Sequence, residues 1–485
     1  MFGKAIAAHQ EHGLLDPPYQ EDRIMGIGTR RDFLRAGVGA TALGLGWAAR
    51  AARAEIPPGL RPPRDAGVTV LNPRMRVPLS FFIDDSTCLV NLGHYCMPQF
   101  AEAWPDNGTY RKPWKTWPRE IPDAFFREFG EWCAERGVKG KFSIVPCPAG
   151  VGWLDRELPG WSRRELQDSL KLVRELMAPR WDIHPEMITH TRVIDLATGR
   201  PIAEINAATM ENSYPQTKKS VDELAAYLAY ALRILKNCDL PCEGVTSPGG
   251  FGNAVKSEFS LAVHQAVRDV YGTELPHYFK YVSEGGETTQ PRLEHVQGLD
   301  TDNPQVVVSV WAGTGDWFGG WDGDEPLRSE RYCHRDATGG RLVELIERGE
   351  PAVMLCHWPG LYNQGTRAGF QEVQRVITAL EQRYRDRTLW MKSSELARYW
   401  TAKELTRIEH SGNSAKFFAP FACPLFTVRM AVTGAGVPQL THGDQPLPLR
   451  EVREARDLQS GTWLREPNGV VVCFDLPKGA VSLGV

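Results

Sequence analysis

The sequence lacks a surplus of charge. Its 56 Lys and Arg stand against 59 Asp and Glu, a net charge of −3, so nothing marks a surface built for nucleic-acid phosphates. It also lacks a long apolar run. The apolar stretch nearest the start, Ala36 to Ala48, is short and diluted with Gly, and it predicts no stable membrane span. Zinc-finger spacing is missing as well. Cys238 with Cys242, and Cys88 with Cys96, each come without a second Cys or His pair at the right offset. What is present is the composition of a soluble globular protein, 42% hydrophobic and 24% charged. The 485 residues suffice for a sizeable core and at least one further module. Fifteen Trp is a high number; such rings either stack on sugars or pack in a core.

The N-terminal segment reads as an export signal. Thr29-Arg30-Arg31-Asp32-Phe33-Leu34 supplies a twin-arginine pair, the Ala36–Ala48 run follows, and Arg50-Ala51-Ala52-Arg53-Ala54 ends in an Ala-x-Ala cleavage site. The order predicts a signal peptide over 1–54, cleavage after Ala54, a periplasmic or secreted product, and the twin-arginine translocase as a partner during export. In an exported protein the ten cysteines are permitted to form disulfides, but spacing does not assign their connectivity. Residues 55–76, rich in Pro and Arg, read as a linker.

From Val77 the chain alternates short apolar runs with amphipathic stretches. Strands are expected at 77–83, 141–145, 186–191, 243–247, 277–282, 306–311, 352–356 and 388–391. Helices are expected near 121–136, 161–177, 220–235, 254–270, 338–347, 370–383 and 393–404. The segment after the first strand, with Asn91, His94, Trp104, Trp114 and Trp117, is polar and broken by Pro, and reads as a large loop. About seven strand–helix repeats predict an α/β fold with a parallel sheet, a distorted (β/α) barrel over 77–404. From 405 to 485 helix signal nearly vanishes and alternating runs such as Phe426–Val432 and Val470–Leu476 predict a small β-sandwich-like domain that packs against the barrel.

In such a barrel the chemistry sits at the C-terminal ends of the strands. Those ends read Asp84-Asp85, Pro146-Cys147, His190, Ser247-Pro248, Asp316-Trp317 and His357-Trp358. Either Asp of the pair, taken alone, is equally able to cap a helix or shape a turn, and a single His is equally able to be a bonded structural residue. Carboxylates and imidazoles arriving together from several strands form a candidate site.

At these residues the chain resembles the polysaccharide deacetylase, or NodB-homology, family of the glycoside hydrolase/deacetylase superfamily, over roughly 75–400. Phe82-Ile83-Asp84-Asp85-Ser86 is similar to the family's Thr-Phe-Asp-Asp-Gly motif. The resemblance implies Asp84 as general base and Asp85 as metal ligand. Glu186-Met187-Ile188-Thr189-His190-Thr191 is similar to the strand ending in a metal-binding His, so His190 is implied as a ligand. The family's second His would fall at 194, which is Ile, leaving Asp195, His184, His94 or Glu211 as the third ligand. Thr246-Ser247-Pro248 keeps the Pro of the third motif and loses its Arg. Gly315-Asp316-Trp317 and Leu355-Cys356-His357 match the fourth and fifth, which implies Asp316 in the catalytic set and His357 as general acid. Trp317, Trp358, Pro248 and Asn91 are the expected substrate contacts.

The resemblance thus implies a metal-dependent hydrolase that removes N- or O-acyl groups, acetyl above all, from a carbohydrate. The ion would be zinc first, with nickel, cobalt or manganese as alternatives. Two other readings stay open. One is a glycosidase pairing Asp84 or Asp85 with Asp316 or Asp322. The other is a barrel that binds glycan without cleaving it, through Trp311, Trp317, Trp321 and Trp358.

Overall fold

A computed structural model describes residues 62, 65–286, 288–318 and 329–485. The expected signal peptide, most of the 55–64 stretch, Trp321 and Asp322 lie outside the described residues. No helix among the described residues is long and apolar enough to cross a membrane.

The first parallel strand, β1 (Val77–Asp84), is buried at every position, which is why its sequence is apolar almost without a break. It pairs in parallel with β2 (Gly140–Ile144), and β2 pairs with β3 (Trp181–Pro185). A second parallel group joins β4 (Gly244–Thr246), β5 (His277–Val282) and β6 (Gln305–Ala312), with an antiparallel strand Arg292–Gln297 on the outer edge of β6. The last two, β7 (Ala352–His357) and β8 (Thr388–Trp390), return to β1. The chain is therefore a mixed α/β structure with parallel sheets, as the alternation predicts. Hydrogen bonding is carried by two sheets whose edges meet at isolated bridges, Glu186 to Thr246 and Asp316 to Leu355.

Alternation along each strand sorts the side chains onto two faces. Phe81, Ile83, Phe142 and Ile183 turn toward the helices and enter one apolar core with Phe129 and Trp181. The register sets Phe82 beside Lys141 and Lys141 beside Asp182 on the other face. That face meets the second sheet: the Phe82 ring lies 5.1 Å from Phe279, edge-on, and Lys141 Nζ lies 4.7 Å from the same ring's centre. The helices follow the expected stripes. Val221–Asn237 buries Leu224, Leu228, Ala231 and Leu235, and the expected capping box of Ser220 and Glu223 forms at its start, a device worth about 1 kcal/mol.

Three local expectations are corrected. The third strand is Trp181–Pro185, not 186–191. Met187 and His190 take left-handed backbone angles, φ 51° and 63°, which no strand sustains, so 186–191 is a tight turn. The segment after the Asp pair holds a helix, Leu92–Ala103, despite its internal Pro98. Leu92, Cys96 and Phe100, four apart, seat it on Val145 and Met210. Within the expected linker, Val68–Val70 is a strand paired with Val428–Met430.

After Leu405 the chain forms strands almost throughout, arranged in two five-stranded sheets, one of which takes in Val68–Val70. Strand Cys423–Ala431 runs antiparallel to Gly469–Leu476, with Phe426 opposite Phe474. Phe417, Phe426 and Phe474 share one apolar core with Leu396 and Trp400 of helix Ser393–Leu405 and with Phe82, Phe279 and Leu355 of the parallel strands. The all-β part is thus packed onto the rest through a common core.

Candidate active site

Where β1 ends, the backbone turns sharply. Asp85 has φ 59°, a left-handed conformation that costs a non-glycine residue about 1 kcal/mol or more. The Glu186 carboxylate holds the turn, its Oε2 accepting from the Asp85 amide at 2.7 Å and from Ser143 Oγ at 2.6 Å. Its other oxygen, Oε1, lies 3.5 Å from His190 Nε2. His190 Nε2 in turn sits 2.7 Å from Asp85 Oδ1. Ligand atoms from Asp85, Glu186 and His190 all fall within 4.8 Å of one another. All three side chains are buried, Asp85 at 1% exposure; its Oδ1 faces His190 Nε2, and its Oδ2 has no hydrogen-bond partner among the described residues. Two buried carboxylates are costly unless positive charge stands beside them, which a protonated His190 or a bound cation supplies. Two carboxylates and an imidazole, nine-tenths or more out of water, suit a divalent ion that accepts both oxygen and nitrogen.

The turn that carries His190 is clamped by Glu211. Its carboxylate accepts from the amides of Ile188 (3.1 Å), Thr189 (2.9 Å) and His190 (2.5 Å), and from the Tyr227 hydroxyl. Burial outweighs these donors and pushes Glu211 up to about 7. Glu211 is therefore the support of the turn, not a member of the cluster.

Beside the cluster stands Asp84. Its Oδ1 is paired with Lys141 Nζ, and the Lys141 side chain is wholly buried. Burial pushes Asp84 up to about 6, Lys141 opposing and Glu186 reinforcing the shift. Glu186 is also burdened by burial, yet the hydrogen bond and charge of His190, with Lys141 and Ser143, bring it down to about 2. His190 pays the same burial penalty and is nevertheless held well above its ordinary value, chiefly by Asp85.

Register places His357 next to Asp84. Its Nδ1 lies 3.2 Å from Asp316 Oδ1. Burial disfavours the imidazolium, but Asp316, Asp85 and Asp84 outweigh it and push His357 up to about 10. A quarter of the side chain is exposed, so solvent tempers the shift. The arrangement offers a carboxylate able to take a proton, an imidazolium able to give one, and a triad of ligand atoms between strands.

The structure thus brings Asp84, Asp85, His190, Asp316 and His357 to one end of the parallel strands, with Glu211 behind the His190 turn, and gives the other expected residues different partners. Asp195 is exposed in a hairpin, accepting from the Ala197 amide. His94 turns its Nδ1 to the Trp117 carbonyl at 3.0 Å under the Trp114 ring. His184 belongs to a separate cluster with Asp182 and His277. Trp317 is fully buried against Phe81 and Tyr332, and Trp358 is packed among Phe125, Phe126, Phe129 and Phe142. Neither ring presents a face for substrate, because hydrophobic burial has claimed both. Pro248 is buried in a turn closed by the Phe251 amide. Asn91 spends its amide on the Pro118 carbonyl.

Sequence reasoning missed Glu186 and Lys141. A period of two carries their signal: Lys141 and Ser143 alternate with Phe142 and Ile144, and Asp182, His184 and Glu186 alternate with Ile183 and Pro185, placing polar groups on one face of otherwise apolar strands.

No family model matches the chain, and no curated protein matches it. Among solved structures it is similar to a provisionally named polysaccharide deacetylase from Mycobacterium smegmatis, at 12% identity and TM-score 0.35, over 73% of this chain and 97% of the other. It is also similar to a 4-alpha-glucanotransferase from Thermococcus litoralis, at 13% identity and TM-score 0.34, over 66% of this chain and 40% of that one. A glycoside hydrolase family 30 subfamily 8 xylanase from Clostridium acetobutylicum follows, at 9% identity and TM-score 0.29, over 75% and 92%. These are distant likenesses of shape, and the chemistry rests on the residues.

Proposed function

We propose that the chain is an exported, metal-dependent hydrolase that removes acyl groups from a carbohydrate. We further propose that strands β1–β7 act as one seven-stranded (β/α) barrel over 77–404, with β8 paired beside the start of β1, followed by the β-sandwich-like domain over 405–485. The observation that carries the activity is the meeting of Asp85, Glu186 and His190 within 4.8 Å beside the Asp84–Lys141 pair and the His357–Asp316 pair. The resemblance of Phe82–Ser86 and Leu355–His357 to the deacetylase motifs supports the substrate class.

Asp85, Glu186 and His190 would hold the divalent ion, zinc first, with Glu186 taking the place of the absent second His. When bound, such an ion supplies Lewis acidity toward a carbonyl oxygen and acidifies water. Asp84 accepts the proton of the attacking water, its carboxylate kept in place by Lys141. His357 donates a proton to the departing amine or alcohol, and Asp316 at Nδ1 fixes the ring and favours the cation. The Lys141 pair gives Asp84 a fixed cation.

The test is acetate release from acetylated oligosaccharides by the chain from Glu55, with metal content measured beside His190→Ala. Turnover that falls with one equivalent of metal supports the reading. Full turnover in a metal-free preparation overturns it, and cleavage of de-acetylated oligosaccharide would point to a paired-carboxylate glycosidase.

A further inference from the structure

The polar face of β3 carries a second constellation that the reaction does not use. Asp182, His184 and Glu186 stand at alternate positions, so Asp182 lies about 13 Å along the strand from Glu186. At that far end His184 Nε2 faces His277 Nε2 at 3.0 Å, and Asp182 Oδ2 lies 3.8 Å from His277 Nε2. The three ligand atoms fall within 4.8 Å of one another. Both imidazoles have no exposed surface and Asp182 is 7% exposed.

Several features shape this spot for a positive centre. Two ring nitrogens facing each other at hydrogen-bond distance repel unless a proton or an ion stands at them. Two nitrogens on a tetrahedral zinc lie about 3.3 Å apart, from the Zn–N length, close to what the rings already show. Thr246 Oγ1, 3.4 Å from His184 Nδ1, occupies the other nitrogen as partners of ligating histidines do. Asp182 is aimed by the start of helix Ser393–Leu405, accepting from the Ser394 amide at 2.5 Å and Ser394 Oγ at 2.9 Å. Gly244 makes the room: a Cβ there would stand 2.8 Å from His184 Nε2 and 2.4 Å from the His277 carbonyl. The neighbouring cation Lys141 is engaged by Asp84.

We propose that Asp182, His184 and His277 form a second, structural site for a divalent ion of the class that takes nitrogen and oxygen ligands, zinc first, separate from the site at Asp85. It would join β3 to β5 from within, across the edge where the two sheets meet at an isolated bridge.

The experiment uses the chain from Glu55 carrying Asp85→Ala and His190→Ala, dialysed against zinc and then against buffer, with zinc counted by elemental analysis. One equivalent retained, and removed by adding His277→Gln, is the expected result. Zinc absorption spectroscopy on the parent chain gives an answer without variants. A site at Asp85 alone shows one imidazole per zinc, whereas both sites together average about 1.5 at two equivalents. A folded Asp85→Ala/His190→Ala chain that retains no zinc, or a parent with one zinc and one imidazole, overturns the proposal and leaves the histidines sharing a proton. If the reading at Asp85 is the one that fails, parent and double variant retain the same single equivalent, with two imidazoles.

Discussion

Lys141 and Asp84 form an ion pair in which the lysine side chain has no exposed surface and the aspartate has 9%. Removing one partner leaves the other as a buried, uncompensated charge, a loss of about 3–5 kcal/mol. Lys141→Met is therefore expected to lower the unfolding free energy by about that amount. Adding Asp84→Asn should return much of it, since the pair then disappears together. Urea unfolding of the two single variants and the double variant gives the coupling energy; additive losses would show that the pair is not coupled.

The two adjacent aspartates are expected to separate by function. Asp85→Ala should lose the ion held near the strand ends along with turnover. Asp84→Asn should keep the ion and lose about 10²–10⁴ of the rate, the range for a missing general base. Metal content and acetate release on the same preparations check this, and a fully active Asp84→Asn would remove Asp84 from the mechanism.

His357 fixes a pH dependence of stability. Its folded value, about 10, lies above the model-peptide value of about 6.5, so the folded protein binds the proton more tightly. The stabilisation is fully present below about 6.5 and is lost as pH rises toward 10. The stability gap between parent and His357→Gln should therefore be widest in acid and close in that window. Thermal unfolding at pH 6, 8 and 10 measures it; a gap that grows with pH would contradict the assignment.

Glu211 touches none of the ligand atoms of the cluster, yet it holds the backbone of His190. Glu211→Gln replaces one acceptor oxygen by a donor among three amides and a hydroxyl. The expected result is metal affinity about tenfold weaker, with the fold retained. A zinc titration against a competing chelator reads the change, and an unaltered affinity would mean that the turn holds its shape without the clamp.

Much of this architecture was legible because burial and period leave marks in sequence. Val77–Ile83 shows a two-sided strand through its unbroken apolar run, and Leu224, Leu228, Ala231 and Leu235 show a helix through their spacing. Asp84-Asp85, Asp316 and His357 announced themselves at strand ends. His190 ends no strand: the strand stops at Pro185, and the turn at 186–191 mimics one because Met187 and Ile188 are apolar and its left-handed residues, Met187 and His190, are not glycines. The helix at Leu92–Ala103 was hidden by Pro98, although Leu92, Cys96 and Phe100 kept the stripe. Trp317 and Trp358 misled in the other direction: large rings beside catalytic residues serve the core as readily as a ligand. Lys141 was invisible as a site residue because its partner lies 57 positions away, a contact only the folded register creates.

The strand at Val68–Val70 has a consequence for the order in which the molecule comes together. It precedes β1 in the chain but pairs with Val428–Met430, and just beyond it the Arg74 amide donates to Thr427 Oγ1, 353 residues downstream. A ribosome releases the first partner long before it makes the second. That edge of the sheet therefore stays open until the chain has been made past Met430, and a chain shortened before Cys423 has nothing with which to seal it.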